Sequence, residues 1–207
     1  AMMQLIAESY DLLQHVARLT NDELHETFSR WNEGRLQSFL IEITAAIFAQ
    51  ADEQGDGHLI DKILDKAKQK GTGKWTSIDG LDLGIPIPSI DAAVTMRQIS
   101  AFKEQRVEAQ KMLPLQFSHH DEAHKEELVS QIEDMLYFAF VVTFAQGMSL
   151  LAEASKENNY GLDLAEIAKI WRGGCIIRAD LLEAIRKAYT ADDDLPNLLV
   201  SDIFRKD

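Results

Sequence analysis

The chain has 207 residues, 46% of them hydrophobic, with 21 Lys and Arg against 34 Asp and Glu, a formal net charge of −13. That length and apolar content permit one large domain or two small ones around a substantial core, and argue against disorder. The acidic balance argues against nucleic acid or an anionic membrane as partner, but not against a small anion held by the local field of a site.

Nearly the whole chain reads as helix. Met3, Ile6, Tyr10, Leu13 and Val16/Ala17 recur every three to four residues as one apolar stripe. The stripe is in phase from Met3 with no cap before it, which creates the expectation of a chain cut into a longer helix. No basic region followed by an apolar run marks a signal peptide. Thr20 or Asn21 is placed to cap the next helix, with Glu23 in its first turn. Leu36, Phe39/Leu40, Ile43 and Ile47 carry the period on to about Ala51. Asp52 to Gly57, "DEQGDG", is a turn. A short helix is predicted from Leu59 to Ala67, then a glycine bend, then a second short helix from about Thr76 to Leu83 that stops at Gly84.

"IPIPS" is extended, because each proline disfavours helix at the residue before it. Ile90 to Met112 reads as one long amphipathic helix ended by Pro114. The longest helix is predicted from about Asp121 to Lys156. Its run "LYFAFVVTFA", Leu136 to Ala145, is ten residues long, shorter than the roughly 20 that a bilayer needs. A segment apolar all round belongs at the centre of a fold. Shorter helices follow near Asp163–Trp171, Ile177–Tyr189 and Leu195–Phe204. No run alternates long enough for a convincing strand, and there is no internal repeat. The predicted class is an all-α bundle of long packed helices.

The bend is chemically unusual. Lys66, Lys68, Lys70 and Lys74 lie within nine residues of an acidic chain, around Gly71, Thr72 and Gly73. A glycine after a helix can end it in a left-handed conformation, and the next helix start offers unpaired N–H groups. With lysines and a threonine hydroxyl nearby, this makes a phosphate or carboxylate cradle. It is not a Walker loop, since Trp75 follows Lys74 and only Thr72 separates the glycines. The alternative reading is a capped turn with solvated lysines.

The words around the bend carry a resemblance. "QKGTGKWTS", "FLIEIT" (Phe39 to Thr44), "IWRGGCIIR" (Ile170 to Arg178) and "NLL" (Asn197 to Leu199) resemble the 6-phosphogluconate dehydrogenase family, in its order and spacing. "MQLIAESYDLL" and "FKEQRVEA" also fit, and the resemblance runs from about Met3 to Phe204. It implies a large all-helical domain that supplies much of the substrate site and the interface of a homodimer. The family's reaction is the NADP-dependent oxidative decarboxylation of 6-phosphogluconate to ribulose 5-phosphate and CO2, in the cytoplasm. By position in "KGTGKW" and in "AAVTMRQIS", the resemblance assigns Lys70, Thr72 and Arg97 to the substrate phosphate. A planar guanidinium fork and a fixed ammonium suit a dianion.

The resemblance also implies what lies elsewhere. The family's general-base lysine, its general-acid glutamate and a phosphate-binding tyrosine precede the segment matched by Met3–Ile6. Its Rossmann domain lies further upstream, and no G-x-G-x-x-G occurs here. A tail beyond the match gives an arginine and a histidine to the neighbouring subunit. Residues 1–207 are therefore expected to be a single helical domain, a fragment of a longer enzyme. Alone it is expected to have no catalytic residue, to bind no cofactor and to be inactive. The alternative is a helical interaction module descended from that enzyme. Two departures from the family pattern are Lys68, where Gly or Ala is usual, and "VTMR" before the arginine position.

Other candidates carry less. His119, His120, Asp121 and His124 suggest a metal site, since His120 and His124 are four apart, but Ser118 and Asp121 equally make a capped helix start, and no metal is expected. The single cysteine, Cys175, excludes an internal disulfide, fits a reducing compartment and reads as a small packing residue. Arg172 and Arg178 flank Gly173-Gly174 and are expected to pair with acidic groups. Trp31, Trp75 and Trp171 are expected to anchor the core.

Overall fold

The computed structural model describes residues 1–68, 70–113 and 124–205. Nine α-helices follow one another in these segments: α1 Met2–His15, α2 Asn21–Asn32, α3 Phe39–Ala49, α4 Thr72–Asp82, α5 Pro88–Ser100, α6 Lys103–Met112, α7 Lys125–Asn158, α8 Leu164–Arg172 and α9 Leu181–Ala191. Single-turn 3-10 segments lie at Leu59–Lys62 and Leu198–Val200. Extended pairing among the described residues is limited to two isolated bridges, Ser38 with Ala179 and Ala51 with His58. The second closes the predicted Asp52–Gly57 turn.

The helix starts follow side-chain chemistry. Thr20 and Glu23 form a reciprocal capping box at α2: the Glu23 N–H donates to Thr20 Oγ1 at 3.3 Å and the Thr20 N–H to Glu23 Oε2 at 2.7 Å. Ser38 accepts the Ile41 N–H at the start of α3, and Asp163 accepts the Glu166 N–H at the start of α8. Pro88 opens α5 at a position where its missing N–H costs nothing.

α7 is the organising element. Its 34 residues extend about 51 Å, and Val129, Ile132, Leu136, Phe140, Val141, Phe144, Ala145 and Met148 are buried along it. α1 packs on it, α2 and α3 pack on each other, and α8 packs on α9. One core joins these helices, with Phe28, Trp31 and Phe48 stacked between α2 and α3. By length and hydropathy alone α7 would suffice to cross a membrane, but it is the central core helix of this fold. It is not covered all round as its sequence suggests, for Phe138 is 62% exposed.

Four predicted elements differ, and of these the Leu195–Phe204 helix is only the single 3-10 turn Leu198–Val200 among bends and turns. The period running from Thr20 to Ala51 breaks between α2 and α3, where Asn32 Oδ1 accepts the Ser38 N–H and Leu36 turns into the core. The helix predicted for Ile90–Met112 breaks at Ala101–Phe102, where the Ser100 carbonyl is taken by the Arg106 guanidinium at 3.1 Å. The Leu59–Ala67 helix is only one 3-10 turn, followed by an irregular strap. Trp31 is a core anchor and Trp171 packs against the core, but Trp75 is 62% exposed. α4 turns its Gly73 and Ser77 side to α5, which leaves Trp75 on the other face.

Arg172 pairs with Glu183 of α9, as its sequence context suggests. Arg178 instead lies over the Phe39 ring, 4.0 Å from its centroid. Arg186 and Arg172 hold the Glu183 carboxyl well below its ordinary range, at about 2. Cys175 is half-buried in the turn after α8.

Leu136→Ala should lower unfolding free energy by about 3 kcal/mol, because it opens a cavity on the fully buried face of α7. Urea denaturation measures this, and a loss under about 1 kcal/mol would show that α7 does not carry the core.

Candidate anion cleft at the start of α4

The glycine-flanked bend opens a helix rather than ending one. Gly71 is the N-cap of α4 with φ of 105° and ψ of −33°, a backbone region that side chains rarely adopt. Its carbonyl accepts the Trp75 N–H at 3.0 Å. Thr72 is thus the first helical residue, and the N–H groups of the first turn lack intrahelical partners. They and the helix dipole favour an anion.

α4 lies against α5 at close range. A Cβ on Gly73 would sit 2.9 Å from Val94 Cγ2, closer than packed atoms allow. Ser77 Oγ donates to Asp91 Oδ1 at 2.6 Å, joining the two helices further along. α5 is in turn tied to α7, since the Ser89 N–H donates to Gln146 Oε1 and Gln146 Nε2 donates to Ser89 Oγ. The start of α4 is therefore referenced to the core through two polar joints.

Lys70, Thr72 and Arg97 line one cleft of about 730 Å³, together with residues of α1 and α5. Lys70 comes from the strap, Thr72 from the first turn of α4, and Arg97 from the last turn of α5. No carboxylate is among the described residues that line the cleft, in a chain of net charge −13. The cleft is locally cationic despite the acidity around it. A smaller apolar cavity of about 320 Å³ adjoins it, reaching Thr143, Phe144 and Trp171.

Of the four clustered lysines, only Lys70 lines the cleft. Lys66 and Lys74 are exposed, and Lys68 contributes its carbonyl, which accepts from Arg97 Nη1 at 3.2 Å. Sequence reasoning missed the residues that hold the strap: Asp65, Ser100, Lys103 and Arg106. The signal was present in "FKEQRVEA", whose Lys103 and Arg106 share a helix face three residues apart. Ser118, His119, His120 and Asp121 lie outside the described residues. Among the described residues no cluster of side chains could hold a metal ion.

Fold and cleft define an all-helical domain that presents a cationic, glycine-shaped helix start. The chain belongs to the 6-phosphogluconate dehydrogenase C-terminal domain family, which it matches over residues 1–207. It is 47% identical over 205 residues to a decarboxylating 6-phosphogluconate dehydrogenase of Oryza sativa subsp. japonica, covering 99% of this chain and 43% of that protein. Against the Synechocystis enzyme identity is 50% over 208 residues, covering 99% and 42%. The NADP(+)-dependent enzyme of Bacillus subtilis is 49% identical over 203 residues, covering 98% and 43%. Among solved structures, Plasmodium falciparum 6-phosphogluconate dehydrogenase superimposes with a TM-score of 0.90 at 41% identity, covering 99% of this chain and 44% of that one. That enzyme was solved in its apo form, with NADP+ and with 6-phosphogluconate. The chain spans less than half the length of these relatives.

Gly71→Ala should cost about 1–3 kcal/mol of stability, because alanine is strained at φ of 105°. An unchanged urea midpoint would show that the turn relaxes without cost.

Proposed function

We propose that this chain is the substrate-phosphate-binding and dimerising part of a longer, cytoplasmic, NADP-dependent 6-phosphogluconate dehydrogenase. That enzyme would oxidise and decarboxylate 6-phosphogluconate to ribulose 5-phosphate and CO2. The observation that carries the reading is the carboxylate-free cleft lined by Lys70, Thr72 and Arg97. Within it, Lys70 supplies a fixed positive charge, Thr72 a hydroxyl donor and Arg97 a planar pair of donors to the phosphate oxygens. Binding energy gathered at the phosphate holds the sugar acid in place for chemistry at the far end of the substrate.

NADP would accept the hydride in that enzyme. The described residues do not fit it: the glycines at 71 and 73 follow an irregular strap rather than a strand, and no G-x-G-x-x-G occurs. Hydride transfer and the proton transfers are therefore assigned to parts of the enzyme outside this chain.

A second copy is supported by apolar surface. Trp75, Leu81, Phe138 and Ile170 are each more than 60% exposed, and a second copy would cover such side chains. Light scattering at high micromolar concentration should give twice the chain mass, and a strictly monomeric mass would count against a dimer.

The phosphate reading is tested in the complete enzyme. Lys70→Ala should cost about 1.5–3 kcal/mol in kcat/KM for 6-phosphogluconate, the range for a hydrogen bond to a charged group. The same change should leave kcat/KM for unphosphorylated gluconate nearly unaltered. Equal losses with both compounds would mean that Lys70 supports the fold rather than the phosphate.

A further inference from the structure

The strap that carries Lys70 makes almost no bonds to itself. Between Ile63 and Lys68 its backbone forms one internal hydrogen bond, from the Lys66 N–H to the Leu64 carbonyl at 2.8 Å. Its remaining ties run outward to the junction of α5 and α6. The Asp65 carboxylate takes Lys103 Nζ on one oxygen and Arg106 Nη1 at 2.8 Å on the other. Arg106 Nη2 donates to the Asp65 carbonyl at 2.8 Å and to the Ser100 carbonyl at 3.1 Å. Ser100 Oγ accepts the Ala67 N–H at 3.3 Å and lies 3.2 Å from the Ala67 carbonyl. Arg97, on the same helix turn as Ser100, donates to the Lys68 carbonyl.

These contacts connect the two cations of the cleft. The strap is fastened at Asp65 to the start of α6 and at Ala67 and Lys68 to the helix end bearing Arg97, two residues before Lys70. Arg106 is also the group that takes the Ser100 carbonyl and breaks what would otherwise be one continuous helix. We propose that Asp65, acting through Lys103 and Arg106, is a positioning residue that sets the place of Lys70 relative to Arg97 and so tunes recognition of a phosphate dianion. This rests on the phosphate reading of the cleft given above. Asp65 touches no substrate. Lys103 and then Arg106 hold its carboxyl down to about 2. The carboxylate is itself more than half exposed, so its contribution to global stability is small and its effect is local.

The test uses the complete enzyme and three variants. Asp65→Asn keeps the shape and removes the charge, and Asp65→Glu restores the charge with a longer reach. Ser100→Ala removes the ties to Ala67 without touching the ion pairs. Asp65→Asn should raise KM for 6-phosphogluconate about tenfold, with kcat changed less than about threefold and with kcat/KM for gluconate unchanged. Inorganic phosphate, as a competitive inhibitor, should weaken by a similar factor. Asp65→Glu should recover a substantial part of the loss, and Ser100→Ala should move KM in the same direction as Asp65→Asn.

Several results would overturn the proposal. Wild-type KM in both Asp65→Asn and Ser100→Ala would do so, as would equal losses for phosphorylated and unphosphorylated substrate. So would a loss that follows melting temperature and is not rescued by glutamate. Lys70→Ala, run alongside, separates the two ideas. If Lys70→Ala discriminates between the substrates and Asp65→Asn does not, the clamp is wrong and the phosphate reading stands. If Lys70→Ala fails to discriminate, the phosphate reading fails and the clamp loses its purpose.

Discussion

Burial of one face of α7 is the constraint around which the chain is arranged. A 34-residue helix with Leu136, Phe140, Val141, Phe144 and Met148 in line presents a long apolar stripe that water disfavours. α1 covers part of it, and the α2–α3 and α8–α9 pairs close the core around it. α5 reaches α7 through the Ser89–Gln146 pair, and α4 reaches α5 through Ser77 and Asp91. These contacts tie the α4 and α5 walls of the cleft to the core.

Electrostatics act locally in a molecule whose total charge would mislead. Among the described residues no Asp or Glu is buried, and exposed pairs such as Lys111–Glu108 and Arg205–Asp202 add little to stability. Within the cleft, Arg97, Lys70 and the start of α4 line a space with no carboxylate among its described lining residues. At physiological ionic strength charges beyond about 8 Å are largely screened, so the site is governed by its lining rather than by the net charge of −13. The same reasoning explains the lysine cluster. One lysine of the four lines the cleft, and the side chains of Lys66, Lys68 and Lys74 are exposed outside its lining.

The two glycines of the bend do different work. Gly71 adopts a backbone conformation that turns the strap into α4, while Gly73 allows α4 to approach Val94 of α5. One concerns dihedral freedom and the other the volume of a missing Cβ. Together they place Thr72 at a helix start within the same cleft as a side chain 25 positions later. Lys74 is exposed, and the Trp75 ring, though 62% exposed, lies beside Gly71, 3.5 Å from where a Cβ there would sit.

Much of this was legible in the sequence because it is local. Apolar periodicity identified α1, α7 and α8 and most of α9, which begins at Leu181 rather than Ile177, and Thr20–Glu23 announced its capping box, since such signals act within a few residues. The words around "KGTGKW" pointed to the family and to Lys70, Thr72 and Arg97. Where helices break was not legible. The interruption at Ala101 depends on Arg106 taking the Ser100 carbonyl, and the strap after Lys62 depends on Asp65, Ser100 and Arg97 supplying its partners. Trp75 likewise reads as a core residue until the packing face of α4 is known. Sequence by itself determined the helical class, the family and the chemistry of the candidate site, because each rests on residue type and short spacing. Only the tertiary structure decided which partners fasten the strap before Lys70 and where it lies against α5 and α6. Those outcomes depend on hydrogen bonds between residues more than 25 positions apart, which no local pattern encodes.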